Sequence, residues 1–460
     1  GALPTPSDRL QQRYRHLLVS FAAGTETVAS FPRGDLRRST VRLPSRWLLP
    51  TLRDLAHDHA LPATEWDTAD YAGGVVNASS YAGALLGAAV LGTDQEWRTR
   101  AAAAGTLADP DVDAALVLIR ARAGDRMTRF DGLLSASDGL PDYAVDDISI
   151  APTTLEKYAE CPHGFFVRRL LGVEPLEQPE DSVTVSAAEI GTLVHDVMDR
   201  LVSGTANLPA AGAPWTPEHR RQLEAIVVES MDLFEQQGLS GHPRLWAGER
   251  LRIARDIERM LDADDEWRRE GAKTVVASEM PFGIKGEPPV SIPVPGGRVL
   301  MRGSADKVDV GSDGTVWVTD IKTGGSRTFK PIKTEPFVGG TKLQLPVYAA
   351  AARERFGSPG SPVLAGYWFV RRDPGRLDIP VDDDLAAQYG EVIGTLVRSI
   401  AAGLFPPKAP DEPDFRWTQC PYCNPDGLGH GEVRERYERK RTDPVLADLV
   451  ELIDPAAVTP

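Results

Sequence analysis

The stretch Gly303-Ser304-Ala305-Asp306-Lys307-Val308-Asp309, then a turn at residues 311–314, then Val318-Thr319-Asp320-Ile321-Lys322-Thr323-Gly324, decides the fold. Valine-rich runs on either side of a Gly/Ser/Asp turn read as two antiparallel strands. Asp320 and Lys322 are i and i+2 on the second strand, so their side chains share a face while Ile321 points into the opposite layer. The hairpin brings Asp306, fourteen residues before Asp320, near that same face. Two carboxylates and an ammonium then converge at a sheet edge. Asp309, three residues beyond Asp306, should face the other way.

Outward from this hairpin the period changes between elements. Residues 273–279, 298–310, 315–323 and 363–372 read as strands, and residues 342–356 and 383–402 as helices. Upstream, residues 187–202 read as an amphipathic helix carrying His195, followed by helices over 214–238 and 242–270. Thr153 with Glu156 fits a capping box for a helix running to Cys161. The order of elements predicts an α/β fold, a mixed sheet flanked by helices. Residues 1–135 read as a mainly helical segment, with helical spacing over 10–23, 45–61 and 111–122, and residues 136–150 as a Ser/Gly/Pro/Asp linker to a module over 151–460.

Two carboxylates and a lysine suit metal-assisted phosphodiester hydrolysis. The carboxylates hold Mg²⁺ or Mn²⁺, hard cations that prefer oxygen, and the lysine orients a water or neutralises charge building on the phosphate. The plain alternative is an exposed Asp–Lys pair on an edge strand. Glu279, on the preceding strand, has two readings as well: an extra acidic ligand or a structural salt bridge.

Beyond these residues the chain resembles a family. Gly303-x-x-Asp306, Asp320-x-Lys322-Thr323-Gly324, Gln344-Leu345-Pro346-Val347-Tyr348 and, upstream, Gly191-Thr192-Leu193-Val194-His195 are similar, in order and spacing, to the PD-(D/E)XK nuclease module of the RecB/AddB group. The resemblance implies a restriction-endonuclease-like sheet. It implies His195, Asp306, Asp320 and the Ile321 carbonyl as metal ligands and Lys322 as the catalytic lysine. Gln344 and Tyr348 are implied to contact DNA or support the site, and their i, i+4 spacing places both on one helix face. The Arg-rich residues 30–49 resemble the tract between motor and nuclease in actinobacterial AdnAB helicase–nucleases, the AdnB subunit above all. That implies a helicase motor upstream or in a partner subunit, a heterodimer, and single-stranded DNA as substrate in double-strand-break end processing. A nuclease fold kept as a silent DNA-guiding scaffold, and a hydrolase of small phosphoesters, are the alternatives.

Cys161 before the core, and Cys420-Pro421-Tyr422-Cys423 after it, also resemble this group, whose iron–sulfur members hold a [4Fe–4S] cluster with four cysteines. Here no cysteine follows Cys423. Three readings stand: Asp426 or His430 completes a cluster, three cysteines with His430 hold Zn²⁺, or the cysteines pack as small apolar residues.

Composition bounds the rest. The chain has 460 residues, enough for two or three domains. Its 51 Lys+Arg against 66 Asp+Glu give −15, which excludes a bulk-charge DNA coat but not a local basic groove. The Arg-rich tract shows such locality: residues 31–53 hold Arg33, Arg37, Arg38, Arg42, Arg46 and Arg53 against Asp35 alone. Three cysteines exclude a disulfide scaffold and point to a reducing compartment, the cytoplasm. The longest apolar run, residues 81–92, is too short to span a bilayer. Gly1-Ala2-Leu3-Pro4 carries no signal-peptide pattern, and the missing methionine reads as a piece of a longer protein or as methionine removal. No Gly-x-x-x-x-Gly-Lys-Ser/Thr loop occurs, so no ATPase motif is visible.

Overall fold

The computed structural model describes residues 5–32, 42–77, 81–135, 137, 139–174, 184–358, 360–372, 374–408 and 431–455. These residues form two compact units. The first runs up to Arg120, with Gly431 and Glu432, and the second runs from Ala121 through residue 408 and again from Val433. The first unit is helical: α1 (Pro6–Ala22), α2 (Leu49–Leu55), α3 (Tyr81–Gly87), α4 (Asp94–Ala103) and α5 (Pro110–Ala123), whose last turn lies past the division. The helix expected over 45–61 is only the seven residues of α2. It stops because His57 adopts a left-handed backbone (φ 52°), which an α-helix cannot continue through.

The second unit holds the expected mixed sheet. Its helices are α6 (Pro152–Glu160), α7 (Pro162–Phe165), α8 (Ala187–Gly204), α9 (Pro217–Gln236), α10 (Pro243–Arg269), α11 (Gln344–Phe356), α12 (Asp383–Ala401), α13 (Gly431–Lys440) and α14 (Ala447–Ile453). Its strands are β1 (Ser149–Ile150), β2 (Thr274–Phe282), β3 (Val290–Val294), β4 (Gly297–Met301), β5 (Gly303–Val310), β6 (Val316–Lys322), β7 (Val363–Phe369) and β8 (Gly375–Pro380). Five strands form one sheet in the order β2-β5-β6-β7-β8, and β1-β4-β3 form a second. Pairing in the larger sheet is antiparallel except between β6 and β7, which are parallel. A parallel pair needs a crossover, and α11 supplies it.

The single strand expected over 298–310 is two strands. At Arg302 the backbone N–H turns to the carbonyl of Ile150, so the first half pairs in the small sheet and the second in the large one. The capping box expected at Thr153 does not form: α6 starts at Pro152 with Ala151 as its N-cap, because proline at N1 fixes the start two residues earlier. Glu156 turns inward instead.

Both faces of the large sheet are covered. Val316, Val318, Ala365 and Tyr367 join α11 in one apolar cluster, and Val275, Ile321 and Trp368 join α8, α9 and α10 in another. Strict alternation on β6 and β7 thus sorts side chains between two cores. Among the described residues, no helix is long and apolar enough to cross a membrane.

Candidate active site

The site forms where the sheet splits. The β5–β6 ladder runs from Val310↔Val316 to Lys307↔Thr319 and stops, while the β6–β7 ladder continues to Lys322↔Phe369. Past Thr319, the edge of β6 that faced β5 has no strand beside it among the described residues. Side chains take over its main-chain groups. The Ile321 N–H donates to Asp306 Oδ2 at 2.6 Å, and the Ile321 carbonyl lies 3.0 Å from His195 Nε2. A buried main-chain amide and carbonyl are thereby both satisfied.

Glu279 completes this group. It lies on β2 in a left-handed conformation (φ 43°), an unusual backbone for a non-glycine residue. Its neighbours Met280 and Phe282 enter the α11-side core, while Glu279 Oε1 lies 3.2 Å from His195 Nδ1. Asp306 Oδ1 lies 3.6 Å from the same nitrogen. One donor atom each from His195, Glu279 and Asp306 fall within 4.8 Å of one another.

On the α11 face, Lys322 Nζ lies 2.5 Å from Asp320 Oδ2 and donates to Gln344 Oε1 at 3.1 Å. Gln344 Nε2 donates to the Tyr348 hydroxyl at 3.1 Å, the i, i+4 pair on the first turn of α11. The lysine is therefore held in position by a chain of contacts rather than left exposed. That disposes of the exposed Asp–Lys pair. The start of α11 is anchored in turn by Glu156, whose Oε1 accepts the Leu343 N–H at 2.6 Å.

The charges are unbalanced. Burial and the neighbouring Asp320 push Asp306 up to about 8. Burial disfavours the charged His195, but the hydrogen bond to Glu279 and the charges of Asp306 and Glu279 raise it to about 9. Both ring nitrogens face acceptors, so the imidazole as placed carries both protons. Burial likewise opposes charge on Lys322, yet Asp320 holds its ammonium above the ordinary lysine value. Glu279 stays below the ordinary range despite burial because His195 bonds it.

His195 and Asp306 do meet, but the third convergent donor is Glu279, whereas Asp320 is engaged by Lys322 and the Ile321 carbonyl by His195. The signal for Glu279 was its place on the strand next to Asp306; its left-handed backbone has no sequence marker. Asp309 faces away, with both carboxylate oxygens on Lys307 Nζ at 2.7 and 2.6 Å. Cys161 caps α7, its Sγ accepting from the Gly164 N–H at 3.3 Å. Cys420, Cys423, Asp426 and His430, like residues 33–41 of the Arg-rich tract, lie outside the described residues.

A family model of the PD-(D/E)XK nuclease superfamily matches residues 149–426, which include every strand described above. The chain belongs to the PD-(D/E)XK nuclease superfamily. Within it, this nuclease-superfamily chain is similar to proteins named as the B-type subunits of ATP-dependent helicase/deoxyribonucleases. It is 32% identical over 249 residues to that of Symbiobacterium thermophilum, covering 52% of this chain and 20% of the relative. It is 26% identical over 252 residues to that of Moorella thermoacetica (52% and 21%), and 27% over 248 residues to that of Acetivibrio thermocellus (52% and 20%). The chain thus spans about a fifth of the length of these relatives.

Proposed function

We propose that this chain is a metal-dependent deoxyribonuclease, the nuclease part of an ATP-dependent helicase–nuclease, which hydrolyses phosphodiester bonds of single strands fed by a helicase during double-strand-break end processing. The observation that carries this reading is the convergence of His195, Glu279 and Asp306 beside the Asp320–Lys322–Gln344 chain. The donor set fits Mg²⁺ or Mn²⁺: Glu279, Asp306 and Asp320 outnumber Lys322 and the protonated His195, and a divalent cation would take the place of the protons that Asp306 and His195 hold. His195, Glu279 and Asp306 would hold the ion, with Asp320 alongside.

When bound, such an ion polarises a phosphate oxygen and lowers the pKa of water. The protein's own residues do the rest. His195 would serve the ion as a neutral imidazole, its Nε2–H donating to the Ile321 carbonyl and fixing the ring. Lys322, kept protonated by Asp320, offers positive charge to the phosphate as it gains charge in the transition state. Gln344 and Tyr348 fix the ammonium's direction. A silent scaffold has no use for this completeness.

The finer assignments rest on resemblance. They comprise an AdnB-like subunit, a heterodimeric partner with a motor, a cytoplasmic setting, and a [4Fe–4S] clip on Cys161, Cys420 and Cys423. Iron content and visible absorbance of anaerobic protein test the clip, and a colourless zinc-loaded protein assigns the site to Zn²⁺. Cleavage is tested on single-stranded, duplex and small-ester substrates with Mg²⁺ or Mn²⁺. Asp306→Ala or Lys322→Ala should abolish cutting of the single strand; wild-type rates in either variant would overturn the reading.

A further inference from the structure

A cavity of about 620 Å³ adjoins the site, in the ordinary size range of a ligand cleft. Its walls are α8 and α10, and its floor includes Thr323 and Gly324, the two residues that follow Lys322. It therefore opens at the carboxyl ends of the parallel pair β6 and β7, where α/β sheets commonly place ligands. Arg244, Arg252, Arg371 and Arg372 also line it.

The four arginines are not equivalent: Arg252 pairs with Glu249 at 3.2 Å. Arg371 is tied down, its guanidinium 2.7 Å from Asp256 and 2.6 Å from Glu249. Those two carboxylates are thereby spent, and Arg244 and Arg372 are exposed with no ion pair among the described residues. In a chain of net charge −15, two unneutralised guanidinium groups beside a row of satisfied ones make a local positive strip.

We propose that this cavity is the track for the strand running to or from the scissile phosphate, with Arg244 and Arg372 contacting backbone phosphates of single-stranded DNA. The proposal rests on the nuclease reading for its ligand and deepens it by naming where the substrate lies. Guanidinium groups bind phosphate in forked geometry, and a basic groove that follows the backbone is how single strands are held without sequence preference. Two helices bound the cavity on either side, and a single strand needs less width between them than a duplex. Thr323 and Gly324 carry no side chain large enough to bar its way to Lys322.

The test is binding of a fluorescent single-stranded oligonucleotide to the full chain in EDTA, so that no cleavage is involved. Arg244→Gln/Arg372→Gln should weaken binding about tenfold or more at 150 mM salt. Its log Kd–log salt slope should be shallower by about 1.4, since each phosphate contact on a single strand contributes about 0.7. Arg221→Gln/Arg298→Gln removes equal charge outside the cavity and should change neither quantity. Arg372→Gln alone, which leaves Arg244 in place, should lower the slope by about 0.7 and keeps the test available if the double variant misfolds. Wild-type affinity and slope in the cavity variants, an equal loss in the Arg221/Arg298 pair, or tighter binding of duplex than of single strand would each overturn the proposal. Lost binding in the cavity variants with no cleavage of any nucleic acid by wild type would leave the track standing and remove the nuclease reading. Normal binding in them, with cleavage that Asp306→Ala abolishes, would do the reverse.

Discussion

Asp306 and Lys307 are adjacent on β5, yet they enter opposite kinds of polar cluster. Lys307 is buried beneath α10, its ammonium on Asp309 and 3.0 Å from Asp264. Arg268 bonds Asp264 at 2.8 Å and Asp265 at 2.9 Å, and Arg220 bonds Asp265 at 2.7 Å. Trp215 supplies further donors to both aspartates. Three carboxylates there meet three cations. Around Asp306, Glu279 and Asp320 add to the negative charge and Lys322 with His195 opposes it. Burial pushes Asp264, Asp309 and Asp306 alike upward, and Asp309 stays raised beside Asp264; Lys307 and Arg268 bring Asp264 below the usual carboxylate range, whereas Asp306, beside Asp320, stands at about 8. The first cluster's charges answer one another, whereas the second holds one carboxylate too many, and burial then drives Asp306 to take up a proton.

The contrast can be broken by exchanging the losses. Asp306→Ala should lower the cleavage rate by about 10³-fold or more, and the Ile321 amide it leaves unpaired should cost only about 1–3 kcal/mol in a urea titration. Lys307→Met leaves Asp309 without its ammonium partner and Asp264 with Arg268 alone, and should cost about 3–5 kcal/mol of stability in the same urea titration. If Lys307→Met unfolds no more readily than Asp306→Ala, the two clusters are not different in kind. Next in size, Glu279→Gln should weaken Mn²⁺ binding by about 10–100-fold in calorimetry, while Asp309→Asn should not touch it. Unchanged Mn²⁺ affinity would remove Glu279 from the site.

The smallest effect concerns pH. Burial raises Glu156 from about 4.5 to about 7, against the opposing pull of the Leu343 N–H and Lys342. Across that window the folded chain holds a proton that the unfolded chain has released, so this group's contribution falls as pH rises, by on the order of 2 kcal/mol between pH 5 and 8. Glu156→Gln lacks that loss, so the variant should gain on wild type over the same range. A stability difference that stays flat from pH 5 to 8 would show that Glu156 is not held as described.

Much of the site was legible because it depends on period and local turns. Alternation placed Asp320 and Lys322 on one face, the turn at 311–314 set the hairpin, and helical spacing joined Gln344 to Tyr348. Illegible features depend on partners far away in the chain. Glu156 looks like a capping residue until Leu343, 187 positions later, offers a better amide. Arg302 divides a continuous valine-rich run because Ile150 claims its N–H. The strands β3 and β8 escaped notice because Pro293 and the polar Gly375–Pro380 carry little strand signal.

The divided sheet also gives the site a built-in reporter. The Ile321 amide is protected from solvent hydrogen by one carboxylate rather than by a strand. Its exchange rate therefore follows the Asp306 side chain and not the unfolding of β5, so a single backbone position reads out the ionisation of the candidate site without any assay of turnover.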